Sequence, residues 1–98
     1  MAHTVELRTE RGELIRRVID FGHIEDAASS SPSICCLRFI DPYGDTVFNY
    51  LQAPVLVAEI EVARNAAPSD AIDSLTSIVT LARQCAEQGG TYLWFIGD

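Results

Sequence analysis

Three carboxylates are the side chains best suited to chemistry in this sequence. Asp41 and Asp45 flank a turn over residues 41–44 (DPYG), and Asp98 follows the last apolar run. Paired carboxylates can bind divalent cations or act as general acids and bases. Their spacing does not match an EF-hand loop, and Asp41 also suits a turn start and Asp45 a helix cap. We therefore predict no metal and no cofactor, with a small ligand- or metal-binding domain or enzyme using Asp41 and Asp45 as an alternative.

The histidines and cysteines form no recognisable catalytic or metal-binding motif. His3 and His23 have no second ligand at metal-binding spacing, and both are predicted to lie at the surface or in loops. Cys35 and Cys36 lie inside an apolar run, where burial makes a thiol less reactive, and Cys85 falls on an apolar helix face. These patterns favour a protein without catalytic activity whose thiols stay reduced in the cytoplasm.

The aromatic residues give a stronger functional signal than the polar ones. On an alternating strand, Tyr92 and Trp94 share one side, while Leu93 and Phe95 share the other. One pair can pack in the core while the other anchors a partner, because aromatic side chains dominate both cores and interface hot spots. The candidate partner-binding residues are Tyr43, Tyr50, Tyr92, Trp94, Asp41 and Asp45.

The charge of the chain restricts its partners. Fourteen acidic residues face seven arginines and no lysine, which gives a net charge of −7. A surface of this sign repels phosphate groups, so we expect no binding to nucleic acid or to anionic membranes. It attracts basic proteins and speeds their approach. No apolar run reaches the roughly 20 residues that span a bilayer, and no secretory signal is visible, so we predict a cytoplasmic protein.

The 98 residues are expected to form a single domain, 1–98. Residues 4–8 alternate as a strand, and Gly12 suits the left-handed position of a hairpin turn. Residues 13–21 then fit a strand or a helix, and the strand is favoured by their β-branched content. Residues 33–40 form an apolar run that predicts a central, mostly buried strand.

The second half of the chain is predicted to be mainly helical. Val47, Phe48 and Leu51 begin an apolar helix face after a cap at Asp45 or Thr46. Residues 54–65 fit a helix better than a strand, and residues 68–88 have clear helical spacing that ends at two glycines. Residues 91–96 form a last strand. The sum is an α+β fold in the order β-β-β-α-α-β, with about four mostly antiparallel strands and two helices on one face.

Two segments resemble stretches of small, functionally uncharacterised bacterial proteins. They are FIDPYGDTVFN over residues 39–49 and FIGD over residues 95–98. The resemblance implies a compact bacterial domain and assigns no site or activity.

Size, acidity and the aromatic last strand favour a protein-binding module, such as an immunity-type inhibitor that occludes a basic protein. A homodimeric assembly protein, in which the last strand pairs across a two-fold axis, is the main alternative.

Overall fold

The chain forms a four-stranded antiparallel sheet that packs against helices. The computed structural model describes residues 3–29 and 34–97. Its strands are β1 (His3–Thr9), β2 (Leu14–Asp20), β3 (Asp45–Asn49) and β4 (Thr91–Ile96), and its helices are α1 (His23–Ala28), α2 (Ala53–Asn65) and α3 (Ser69–Glu87). The strand order is β2-β1-β4-β3, with each neighbouring pair antiparallel. The α+β fold predicted from the sequence is confirmed.

The core lies between one face of the sheet and the helices. Val5 and Leu7 of β1 and Leu93 and Phe95 of β4 are fully buried there. The rings of Phe95 and Phe48 meet edge to face, with centroids 5.7 Å apart and planes at 84°. The helices pack against this face of the sheet through buried apolar residues that recur at helical spacing. These are Leu56, Ile60 and Ala63 on α2, and Leu75, Ile78, Val79 and Ala82 on α3.

The N-terminal hairpin has the predicted structure. Gly12 adopts a left-handed conformation with φ of 86°, and its N–H donates to the Thr9 carbonyl at 2.9 Å. A side chain would be strained at this φ, so glycine is the residue that closes the turn most easily. Residues 14–20 form strand β2, so the strand favoured over a helix for residues 13–21 is confirmed.

The predicted strand over residues 33–40 is wrong for the part that the structure describes, residues 34–40. This segment instead contains a 3-10 turn at Leu37–Phe39. The Glu59 carboxylate of α2 accepts backbone hydrogen bonds from Cys35 (2.6 Å), Cys36 (3.3 Å) and Leu37 (3.1 Å). Because a side chain supplies these acceptors, the backbone needs no neighbouring strand.

The third strand lies further along, at residues 45–49, where a helix start was predicted. Asp45 and Thr46 therefore do not cap a helix. Phe48 is buried while Val47 on the other side is exposed, which is the alternation of a half-covered strand. The backbone of this segment pairs with β4 instead of coiling, with Val47 opposite Trp94.

The two main helices and the last strand match their predicted ranges closely, as α2, α3 and β4. The short helix α1 was not predicted. Its first turn is held by Asp20, whose carboxylate accepts hydrogen bonds from the Ile24 N–H at 2.9 Å and from the Ser74 hydroxyl of α3 at 2.6 Å. Among residues 3–29 and 34–97, none of the helices combines the length and the apolar character that spanning a bilayer requires.

Strand β4 occupies the interior of the sheet. It is hydrogen-bonded to β1 on one side and to β3 on the other. The expectation that the last strand pairs with a second copy across a two-fold axis is therefore wrong, because neither of its edges is free. The edge strands are β2 and β3.

Replacing Phe95 with alanine is expected to lower the free energy of unfolding by about 3–5 kcal/mol, because it empties a buried aromatic position. Urea unfolding followed by circular dichroism measures this change. The matched control is Tyr92→Ala on the other side of the same strand, with an expected loss of about 1 kcal/mol or less. Equal losses in the two variants would contradict the assignment of the core to the Phe95 side.

Candidate functional site

One face of the sheet points away from the core, and we call it the open face. Its residues alternate along each strand with those that pack on the helices, except at a register shift in β2 between Leu14 and Arg16, and the strand pairing places them side by side. It consists of Leu14, Arg17 and Ile19 of β2, Thr4, Glu6 and Arg8 of β1, Tyr92, Trp94 and Ile96 of β4, and Asp45, Val47 and Asn49 of β3.

An aromatic pair lies near the centre of the open face. Tyr92 is exposed and Trp94 half-buried, whereas Leu93 and Phe95 are in the core. The Arg8 guanidinium lies 4.3 Å from the centre of the Trp94 ring, in a cation–π contact. A shallow groove runs between this pair, Val47 and the turn at residues 9–12. The face thus offers apolar area around Tyr92, Trp94 and Val47, part of which the Arg8 guanidinium covers.

The middle of the open face carries a buried ion-pair network. Glu6 is only 3% exposed, and its two carboxylate oxygens accept hydrogen bonds from the Nε atoms of Arg8 and Arg17, each at 2.7 Å. Burial acts to raise the pKa of the Glu6 carboxyl group, but the hydrogen bonds and charges of the two arginines outweigh it and hold the pKa below its ordinary value. Two arginines pair with this single carboxylate, so the network as a whole carries one excess positive charge.

The two aspartates of the predicted carboxylate set have different roles. Asp41 Oδ1 accepts the Tyr43 N–H at 2.9 Å, and the Asp41 N–H donates to Thr46 Oγ1 at 2.9 Å, so Asp41 shapes the turn. Asp45 is exposed and begins β3 opposite Ile96. Asp98 lies outside the described residues. Among the described residues, no three His, Cys, Asp or Glu side chains are grouped to hold a metal ion.

The other two predicted aromatic anchors lie beyond the ends of β3. Tyr43 is in the turn before this strand and Tyr50 directly follows it, and both are exposed. They therefore flank the aromatic pair of β4 instead of forming one cluster with it. A partner that contacts all four aromatic residues has to extend along the whole length of β3.

His3 was expected at the surface, and this is wrong. It is fully buried, with Nδ1 3.6 Å from Glu25 Oε1 and Nε2 3.4 Å from the Asp41 carbonyl oxygen. The alternation of β1 places His3 on the same side as Val5, toward the helices, and this signal was available in the sequence. His23 begins α1 and lines a small pocket with Asp26 and several alanines.

The three cysteines differ in accessibility. Cys35 is exposed, contrary to the prediction, whereas Cys36 and Cys85 are buried. Burial, followed by the negative charge of Glu59, raises the pKa of the Cys36 thiol. Burial likewise raises the pKa of the Cys85 thiol.

The acidic surplus and the aromatic face lie in different parts of the molecule. Residues 3–20 carry four acidic and four basic side chains, so the β1–β2 hairpin is neutral. The three helices carry seven acidic side chains and two arginines. The negative charge of the protein therefore lies mainly on the helices, while the aromatic pair lies on the sheet.

The turn over residues 41–44 and the end of β4 meet in the structure. The Gly97 N–H donates to the Gly44 carbonyl oxygen at 2.9 Å. A Cβ atom on Gly97 would lie 2.6 Å from the Pro42 carbonyl oxygen, so only glycine fits without a shift of the backbone.

Comparisons of the chain with family models, with curated proteins and with solved structures found no match. The resemblance to small bacterial proteins therefore stays a prediction. The proposal for function rests on the geometry of the open face.

Replacing Glu6 with glutamine is expected to destabilise the protein by about 1–3 kcal/mol at pH 7, because one charged acceptor of two arginines is lost. Since the folded pKa of Glu6 is lowered, its contribution to stability is present above the unfolded pKa, near 4.5, and is lost as the pH falls through the folded pKa. Urea unfolding at several pH values should show the difference between the variant and the wild type shrink below that point. A difference that stays constant down to the acid limit of folding would contradict this network.

In the folded protein, Cys35 should react with a thiol reagent much faster than the other two cysteines, because it is exposed and they are buried. Mass spectrometry of the labelled chain measures this, with one modification expected before unfolding and three after it. Cys35→Ser should remove the fast modification, and the control Cys85→Ser should keep it.

Proposed function

We propose that this chain is a protein-binding module that contacts a basic protein through the open face around Trp94 and Tyr92. An inhibitor of the immunity type, acting in the cytoplasm, is the form of this function that we favour. One observation carries the proposal. Tyr92 and Trp94 lie near the centre of the open face, on the side of the sheet that does not pack against the helices.

The apolar area of the open face supports this proposal. Tyr92, Trp94 and Val47 are adjacent by strand pairing, and the Arg8 contact restricts the Trp94 ring. Aromatic anchors that are ordered before binding lose little conformational freedom in the complex. The nearby Glu6 carboxylate is already paired with two arginines, so it needs no partner of its own in a complex. The one excess positive charge of this network stays in solvent or pairs with a carboxylate of the bound protein.

The charge distribution supports a basic partner. Asp45 lies on the open face and Asp41 in the turn beside it, so basic side chains of the partner can pair with carboxylates at this end of the face. The acidic helices add a long-range field that speeds the encounter without touching the partner.

The first test is affinity capture of the tagged chain from lysate of the organism that encodes it, with basic proteins identified by mass spectrometry. Trp94→Ala and Tyr92→Ala should each weaken binding of the captured protein by about tenfold or more, because each truncates an anchor. Val62→Ala, at an exposed position on α2, is the matched control and should bind like the wild type. Unchanged affinity in both aromatic variants would overturn the proposed face.

A second comparison separates contact from long-range attraction. Asp45→Asn and Asp70→Asn each remove one negative charge, but only Asp45 lies on the open face. Asp45→Asn should speed dissociation of the complex, whereas Asp70→Asn should only slow association slightly at low salt. Equal dissociation rates would show that Asp45 makes no contact, and a captured partner without basic character would refute the electrostatic part of the proposal.

A further inference from the structure

The outer edge of β2 is bordered by exposed apolar side chains. Leu14 at the start of β2 is 48% exposed, and Ile19 near its end is 55% exposed. Phe21, which directly follows the strand, is 76% exposed. An edge strand of this length with apolar residues tends to pair with another strand unless charges or proline block it. Arg16 and Arg17 are the charged residues of β2 that are exposed.

The direction of the backbone groups on this edge follows from the neighbouring strands. The Glu10 N–H donates to the Gly90 carbonyl of the segment that leads into β4. Alternate residues of a strand point to opposite neighbours, so Val5 and Leu7 direct their backbone groups to Val18 and Arg16 of β2. Arg17 and Ile19 then direct their N–H and C=O groups away from β1, at the outer edge.

The charge distribution favours a second copy of this chain at this edge. The chain carries a net charge of −7, so two copies repel each other over most of their surface. The β1–β2 hairpin is the exception, since its acidic and basic side chains are equal in number. Pairing through β2 therefore brings two hairpins of zero net charge together, while the helices of both copies lie on the same side of the joined sheet.

We propose that β2 pairs antiparallel with β2 of a second copy, across a two-fold axis at Val18. In this register Arg17 of each copy lies opposite Ile19 of the other, and both residues have outward backbone groups. Arg16 lies opposite Asp20, whose buried carboxylate stays bonded to Ile24 and Ser74. Within β2, no residue lies directly opposite another of like charge.

The same argument does not support the β3 edge. That strand has five residues, and the N–H of Asn49 already donates to Gln52 Oε1 at 3.0 Å. Its exposed Asp45 and the adjoining Asp41 would bring negative charge to an interface between two copies. The β2 pairing joins two sheets into one of eight strands and leaves both open faces accessible, so it is independent of the proposed partner site.

Sedimentation velocity of the full chain over a wide range of concentrations tests the pairing. We expect a reversible dimer with twice the 10.8 kDa mass of one chain. Ile19→Pro removes an outward N–H without touching the hydrogen bonds to β1, so it should abolish the dimer while circular dichroism stays unchanged. Val47→Pro does the same at the β3 edge, as the matched control, and should leave the dimer intact.

A charge pair at residue 19 tests the register. Ile19→Lys puts a positive charge opposite Arg17 of the other copy and should raise the dissociation constant of the dimer by roughly tenfold, less at high salt. Ile19→Glu puts a negative charge at the same exposed position and should leave the dimer at least as tight. A monomer at millimolar concentration, a dimer broken by Val47→Pro but not by Ile19→Pro, or equal effects of Lys and Glu would each overturn the proposal.

Discussion

Packing of the helices against one side of the sheet is the constraint on which the rest of this structure depends. Because α3 contacts β1, β2 and β4 from that side, each of these strands has to alternate between core and surface. Phe95 is fully buried while its neighbour Trp94 is only partly buried, although both are large aromatic residues. The continuous apolar sequence of β4 therefore does not reflect burial on two sides, and the apolar area of the open face remains available for contact with another protein.

The elements that sequence analysis predicted well are those in which several local signals agree. Helix α3 combines helical spacing, an acidic first turn and two glycines after its end, and the β1–β2 hairpin combines alternation with Gly12 at a left-handed position. The segment before β3 was predicted wrongly because its apolar run fits a buried strand or a buried turn equally well. The deciding interaction is made by Glu59, more than twenty residues away, and no local pattern contains it.

The candidate site was predictable only in part, for related reasons. Alternation along β4 separates Tyr92 and Trp94 from the core residues, and the DPYG pattern explains the turn role of Asp41. The network around Glu6 was missed because it depends on the pairing register of two strands, which places Arg17 opposite Glu6. The net charge can be counted from the sequence. That the helices are acidic and the β1–β2 hairpin is neutral can be seen only when the bounds of the helices and strands are known.

The order of the strands has a consequence for how the protein is made. The two central strands, β1 and β4, are the first and the last of the fold, so the middle of the sheet joins residues from its opposite ends. Contacts of such long sequence separation form slowly, because the entropy of closing the intervening loop is lost before the contacts form. During synthesis, the β1–β2 hairpin emerges from the ribosome early and remains marginal without a third strand. Until β4 arrives, β1 and β3 lack their shared neighbour, so the nascent chain depends on the last element to become stable.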